Sequence, residues 1–102
     1  MTQQKFDGVI EAVRYSKNGQ IEFVRAYERR GATFSDRLLL DRKTLLTRLK
    51  TRKKFLTGRR RELWAGTFDT GKAVQAISRN GKEILATRAE ADRDELEGVP
   101  VL

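Results

Sequence analysis

The chain has 102 residues, 38% of them hydrophobic, which is enough for one small domain and hardly enough for two. It contains no cysteine and no histidine, which excludes disulfides, thiolate chemistry and the commonest metal ligand, so we expect neither a metal nor another cofactor. No apolar run approaches the roughly 18 residues of a transmembrane helix, and the N-terminus lacks the apolar segment of a secretory signal. A cytoplasmic protein without a membrane span is therefore expected.

The net charge of +8 is distributed unevenly along the chain. Residues 37–61 contain eleven Lys or Arg and one acid, a net charge of +10. Residues 89–102 contain five acids and one Arg, a net charge of −4. Such asymmetry is typical of chains that bind polyanions or that pair a basic segment with an acidic one of their own.

Alternating apolar residues and glycine-containing turns predict a chain built mainly from β-strands. The predicted strands cover residues 5–16, 20–30, 32–40, 60–69, 72–79 and 82–88. Asn18-Gly19 and Asn80-Gly81 each suit a two-residue type I′ hairpin turn, and Asp69-Thr70-Gly71-Lys72 suits a slightly longer one. The first strand has apolar residues on both faces, which predicts that it is covered on both sides. Gly8 and Gly66 predict bulges or sharp bends within strands.

The period of the pattern changes after residue 40, and a helix is predicted over about residues 42–57. Asp41 is its expected N-cap, and Gly58 is the expected residue at its C-terminal end. One helix face collects Leu45, Leu46, Leu49 and Leu56, and a stripe away from that face collects Lys43, Lys50 and Lys54. Phe55-Leu56-Thr57 suits the following strand equally well, so the end of the helix stays open.

Residues 89–102 are predicted to form a short acidic helix, because Thr87 and Glu90 have capping-box spacing and Gly98 with Pro100 provides a stop. Residues 1–88 then form one β-rich α+β domain with the order β-β-β-α-β-β-(β). This order resembles the layout of the OB-fold, a Greek-key barrel with a helix between its third and fourth strands. The resemblance covers about residues 5–88 and lies in element order alone, and the sixth strand departs from it. We expect a small OB-like or related β-barrel.

Phe68-Asp69-Thr70-Gly71 resembles the catalytic signature of aspartic proteases. In that family the Asp-Thr-Gly triplet comes early and is followed by a long flap and further strands, whereas only 31 residues follow Gly71 here. Asp-Thr-Gly-Lys is also a common turn composition. We therefore interpret the stretch as a turn and assign no catalytic residue.

The basic segment is the candidate functional site, because Arg forks and Lys point charges neutralise the phosphates of nucleic acids. The candidate nucleic-acid-binding residues are Lys43, Lys50, Arg52, Lys53, Lys54, Arg59, Arg60 and Arg61. Aromatic residues near this segment or on the first hairpin are candidates for stacking on a base, although Trp64 fits a core position better. They are Tyr15, Tyr27, Phe55 and Trp64.

These patterns predict a small domain that binds DNA or RNA through phosphates with little sequence specificity. The alternative is a protein-interaction or structural module, which uses a sheet edge or binds an acidic protein surface; the cations could equally be the solvated face of a helix. A further hypothesis is that the acidic residues 89–102 fold back and shield residues 43–61.

Overall fold

A computed structural model of the chain describes residues 6–30, 33–35, 37–60, 68–79, 81–88, 90–91 and 93–102. The described residues form eight strands and one helix. The elements are β1 (Gly8–Tyr15), β2 (Ile21–Arg30), β3 (Thr33–Phe34), β4 (Leu38–Asp41), α1 (Arg42–Lys50), β5 (Phe55–Arg60), β6 (Phe68–Ala73), β7 (Gln75–Arg79) and β8 (Lys82–Ala86). The predicted mainly β class with a helix in the middle of the chain is confirmed.

The main sheet is built around β1. This strand pairs antiparallel with β2, and its first residues, 8–10, pair parallel with residues 55–57 of β5. On the far side of β2 lie β3 and β4, and β6 pairs with β5, whereas β7 and β8 form a separate hairpin. Within the described ranges β3 and β6 stay at opposite edges without pairing, so the sheet is not closed into the expected barrel.

The core lies between the main sheet, the helix and the β7–β8 hairpin. Val9, Ile10, Ala12 and Val13 are all buried, which confirms that β1 is covered on both faces. The main cluster consists of Ile10, Val13, Ile21, Val24, Ala26, Leu40, Leu45, Phe55, Val74, Leu85, Leu96 and Val99. The predicted bulge at Gly8 is wrong: the register of β1 shifts after Ile10 and after Arg14. Gly8 instead leaves room for the Phe55 ring, which occupies the space of a Cβ atom.

Both hairpins predicted at Asn-Gly sequences are present. β7 and β8 pair as far as Arg79 and Lys82, which leaves Asn80-Gly81 as the predicted two-residue connection, with a positive φ of 77° at Gly81. Asn80 itself lies outside the described residues. In the first hairpin the Gly19 N–H donates to the carbonyl oxygen of Ser16 at 3.0 Å. Only Gly19 of that loop has a positive φ, so the loop is a three-residue turn with a left-handed glycine, and not type I′.

The turn predicted at residues 69–72 is wrong, because these residues lie inside β6. Thr70 faces Gly58 of β5, and a Cβ atom on Gly71 would lie 2.6 Å from the Thr57 Oγ1 atom. The Lys72 N–H donates to that same hydroxyl at 2.9 Å. Glycine is therefore needed at this position for close approach of β5 and β6, and not for a turn.

Two predicted strands are divided. Residues 32–40 contain β3 and β4, separated where Ser35 exchanges hydrogen bonds with the backbone of Glu28. Residues 72–79 contain the end of β6 and the whole of β7, separated at the buried Val74. Most of the predicted strand 60–69, including Trp64 and Gly66, lies outside the described residues.

The predicted acidic helix is wrong: residues 90–91 and 93–102 contain no helix. Glu95 bridges Ala86 of β8, and Val101 bridges Val13 of β1, so the segment runs partly extended along both sheets. Thr87 does not cap a helix, because its hydroxyl accepts the Glu97 N–H at 3.2 Å. Ala91, Leu96 and Val99 are buried, and the segment thereby contributes to the core.

The cause of this path is the buried carboxylate of Asp94. Its Oδ2 atom accepts the Ile21 N–H at 2.8 Å, and its Oδ1 atom accepts the Leu85 N–H at 3.0 Å. The guanidinium of Arg42, the first residue of α1, donates to both oxygens at 2.9 and 3.3 Å. Arg42 also donates to the carbonyl oxygen of Glu83. One side chain therefore connects β2, β8, the helix and the C-terminal segment.

We predict that Asp94→Ala lowers the free energy of unfolding by about 3–5 kcal/mol, because it leaves an unpaired guanidinium and two buried N–H groups. Urea denaturation followed by circular dichroism measures the change. Glu90→Ala is the control, because Glu90 is exposed and belongs to the same segment. A loss no larger than that of the control would contradict the role assigned to Asp94.

Candidate nucleic-acid interface

The helix places two of the predicted cations in solvent. Asp41 caps its N-terminus: a side-chain oxygen accepts the Thr44 N–H at 2.7 Å. That hydrogen bond, more than the nearby charge of Lys43, lowers the pKa of the Asp41 carboxyl below its usual value. Leu45 is fully buried, and Leu46 and Leu49 pack against the core as predicted. Lys43 and Lys50 are therefore left on the exposed side, two turns apart.

The helix ends at Lys50, seven residues before the predicted end. Arg52 adopts a left-handed conformation with φ 66°, its N–H donates to the Leu49 carbonyl, and the Lys53 N–H donates to the Arg48 carbonyl. This pair of bonds is a Schellman motif, in which the left-handed residue is usually glycine. Arg52 thus takes the role predicted for Gly58. Phe55, Leu56 and Thr57 belong to β5, the alternative that the sequence left open.

The loop after the helix presents three consecutive exposed cations, Arg52, Lys53 and Lys54, which we call the basic loop. Its far end is clamped by Asp7. The Lys54 N–H donates to the Asp7 carboxylate at 2.7 Å, and the Asp7 and Gly8 N–H groups donate to the Lys54 carbonyl at 2.7 and 3.1 Å. Lys54 lies outside the helix, so the predicted helical stripe of three lysines is wrong. Both ends of the loop are nevertheless fixed by hydrogen bonds.

The predicted cations differ in whether an acid neutralises them. Lys50 forms a salt bridge with Glu83, at 2.6 Å between Nζ and Oε1. Within the described part of the chain, the other predicted cations with described side chains form no salt bridge: Lys43, Arg52, Lys53, Lys54 and Arg59. The side chain of Arg60, and all of Arg61, lie outside the described residues. The basic loop is therefore the densest group of uncompensated charge that the structure shows.

Arg59 does not extend this group. It follows Lys54 by five residues along β5, which corresponds to about 16 Å in a strand. It lines an open groove of about 540 Å³ whose other charged residues include Glu11, Asp69 and Glu97. The predicted residues are thus divided between the basic loop and Arg59, whose groove also contains one cation, Lys72, and three acids.

Two arginines near the basic loop were not among the predicted residues. Arg29 and Arg48 line a cleft of about 270 Å³ together with Lys53 and Asp7. Arg48 is partly compensated, because its Nε atom lies 2.8 Å from the carboxylate of Glu28. Arg29 is exposed and makes no salt bridge with a described residue. The Arg29-Arg30 pair at the end of β2 was the sequence signal that could have revealed it.

The aromatic residues predicted to stack on bases are unsuitable where they are described. Phe55 and Tyr27 are each only 1% exposed, and the Tyr15 hydroxyl accepts the Leu96 N–H at 3.1 Å. Trp64 lies outside the described residues. The structure instead groups three half-buried rings beside Arg29: Phe6, Phe34 and Phe68.

A second polar cluster, not predicted, surrounds Glu11, whose side chain is only 9% exposed. One of its oxygens lies 2.8 Å from the Nε atoms of both Arg25 and Arg37, and the other accepts the Tyr27 hydroxyl at 3.1 Å. The Tyr27 hydroxyl in turn accepts from Arg37, and this bond, with the charge of Glu11, raises the pKa of Arg37. Glu11 sits where the register of β1 shifts, so the cluster holds the bulge in place.

The described acids of the C-terminal segment form their salt bridges outside the predicted cations. Its carboxylates pair elsewhere: Asp94 with Arg42, Glu95 with Arg88 and Glu97 with Lys72. The hydrogen bond and charge of Lys72 lower the pKa of Glu97. Among the side chains that the structure describes, no acid of residues 90–102 forms a salt bridge with a cation of residues 43–59. The salt bridges of these residues therefore give the shielding hypothesis no support, and it stays a prediction.

Among all the residues that the structure describes, no group of three or more acidic side chains is arranged to hold a metal ion. No helix among the described residues has the length and apolarity to cross a membrane. No protein-family model, no curated protein and no solved structure matches the chain.

We predict that Arg52→Gly raises the free energy of unfolding by about 0.5–1 kcal/mol, because glycine removes the cost of a left-handed side-chain-bearing residue. Arg52→Ala removes the same charge and keeps the backbone cost, so it should not stabilise the protein. Thermal and urea denaturation of the two variants give the comparison. Equal stability of the glycine and alanine variants would argue against strain at this residue.

We predict that the cap at Asp41 makes stability depend on acid pH. Its folded pKa is lowered, so its contribution is present above the unfolded pKa of about 3.9 and is lost as the pH falls through the lower folded pKa. Asp41→Asn keeps an equally good cap without a titrating group and should reduce this loss. The test is urea denaturation of both proteins from about pH 6 down to the acid limit of folding. If the free energies of unfolding of the two proteins decreased equally as the pH fell, the role assigned to Asp41 would be contradicted.

Proposed function

We propose that this domain binds nucleic acid through its phosphates, with little sequence specificity, and that the basic loop is the centre of the contact. The observation that carries the proposal is the fixed display of Arg52, Lys53 and Lys54, all exposed and uncompensated by described acids. A cation held by its backbone loses less conformational freedom on binding than one on a mobile tail. Arg29, which lines the same cleft as Lys53, extends the charge, and Lys43 is a further exposed cation on the helix.

The contact is electrostatic, which makes its dependence on salt the main signature. Each neutralised phosphate of duplex DNA releases counterions and contributes about −0.9 to the slope of log affinity against log salt. A surface with three to five contacts should therefore give a slope of roughly −3 to −5. The affinity should change little with nucleic-acid sequence, because phosphate contacts fix the position of a protein, whereas contacts to base edges provide sequence specificity. The cytoplasmic location stays a prediction from the sequence.

One observation favours a second candidate function, a protein-interaction module. β4 pairs with β2 and, among the described strands, with no other, and its Leu39 side chain is 66% exposed. An edge strand with an exposed leucine suits addition of an extended peptide from a partner protein. Such binding is dominated by backbone hydrogen bonds and apolar contact, and it should respond weakly to salt.

We predict that the triple change Arg52→Gln, Lys53→Gln and Lys54→Gln weakens binding to a labelled duplex and reduces the salt slope by about 2–3. Fluorescence anisotropy between about 50 and 200 mM salt measures both quantities. The matched control is Arg14→Gln, Lys17→Gln and Lys82→Gln, which removes three exposed cations elsewhere on the fold.

The two triple variants have the same net charge, so their comparison separates a local contact from overall charge. If both lose affinity equally, the basic loop is not the centre of the contact. If the wild-type protein at about 50 mM salt binds no more tightly than about 10⁻⁴ M, the weak end of non-specific binding, the nucleic-acid function itself fails. A Leu39→Lys variant tests the second candidate, because it should abolish strand addition and leave nucleic-acid binding intact.

A further inference from the structure

Arg29 is an exposed arginine that the fold holds in one place. Its Nε atom donates to the carbonyl oxygen of Phe6 at 2.9 Å. Its Cζ atom lies 4.7 Å from the centroid of the Phe34 ring and 5.8 Å from that of Phe6, a cation–π arrangement with both rings. Surface arginines ordinarily keep many rotamers. These contacts hold the guanidinium in one position; it is exposed and forms no salt bridge with a described acid, although Asp7 and Glu28 line the same cleft.

The rings under Arg29 belong to a cluster that comes from distant parts of the chain. Phe34 lies 4.8 Å from Phe68 and 5.6 Å from Phe6, measured between ring centroids. Phe68 also contacts the buried Tyr27 ring at 5.1 Å, which anchors the cluster to the core. Phe6, Phe34 and Phe68 stay half-buried, so apolar surface remains accessible beside an ordered cation.

This cluster is continuous with the basic loop. Arg29 and Lys53 line the same cleft, and Asp7, which follows Phe6, clamps Lys54. A nucleic-acid strand that lies over the cleft would therefore place its phosphates near cations. At one end of the cleft it would meet the Arg29 guanidinium, which lies over the rings of Phe6 and Phe34. A positively charged groove beside planar groups is the arrangement by which proteins bind single strands.

We propose that the domain prefers single-stranded nucleic acid, and that a base stacks on the Arg29 guanidinium and the adjoining edge of Phe34 while the basic loop neutralises phosphates. The inference rests on the proposed function and names the class of nucleic acid that it takes. Only an unpaired base can turn its face to this surface, because in a duplex both faces are covered by neighbouring bases. Stacking tolerates any base, which agrees with binding of low sequence specificity.

The test compares Arg29→Lys and Phe34→Leu with the wild-type protein on two labelled probes: a single strand of about 12 nucleotides and a hairpin duplex of similar phosphate number. Arg29→Lys keeps the charge and removes the planar group; Phe34→Leu keeps apolar volume and removes the ring. We expect the wild-type protein to bind the single strand more tightly. Each variant should lose about fivefold to tenfold of single-strand affinity, the lower part of the range for one stacked base.

Duplex affinity should change little in both variants, and this also shows that they remain folded. Arg14→Lys is the matched control, because Arg14 is exposed on β1 and its one salt bridge among the described residues is with Glu22, at 4.0 Å. Equal losses on both probes, or no loss on either, overturn the stacking proposal and leave phosphate binding in place. Failure of the wild-type protein to bind either probe overturns the proposed function instead.

Discussion

Four parts of the fold meet at the carboxylate of Asp94. It is buried, and it accepts hydrogen bonds from the start of β2, from β8 and from the first residue of the helix. A carboxylate in an apolar core is costly unless its charge is compensated, and Arg42 provides a bidentate partner. The arrangement is specific because each donor comes from a different element. A packing in which the β7–β8 hairpin or the helix were displaced would leave the charge unsatisfied.

The position of the basic loop follows from that junction. Arg42 fixes the N-terminus of a helix of only nine residues, too short to be stable by itself. Leu45, Leu46 and Leu49 then fix which side faces the core. With its start and its rotation set, the helix delivers its C-terminus beside Asp7. The exposed charges of residues 52–54 are thus a consequence of buried contacts, which distinguishes them from a basic tail.

The sequence predicts what local chemistry determines. Periodicity and turn composition predict the first two strands, the β7–β8 hairpin, the Asp41 cap and the inward leucines of α1. The helix end was missed because Arg52 occupies a backbone conformation that normally indicates glycine. The C-terminal segment was missed because its path depends on hydrogen bonds between Asp94 and residues up to 73 positions away, which no local pattern contains. The basic cluster was found because its residues are close in sequence. The separation of Arg59 from the basic loop along β5, and the proximity of Arg29 to that loop, depend on long-range contacts and were not found.

The open sheet explains why the aromatic cluster and the cleft lie where they do. β3 and β6 lie at opposite edges of the hydrogen-bonded strand order, yet their residues Phe34 and Phe68 are in contact. The sheet is therefore curved, and among the described residues its two edges are joined by aromatic contacts instead of hydrogen bonds. Ring contacts fix an edge less rigidly than a ladder of hydrogen bonds does. Arg29 rests on this seam, whereas Lys53 belongs to the loop on the other side of the cleft. The proposed ligand, which engages both, would therefore span the two sides of the cleft.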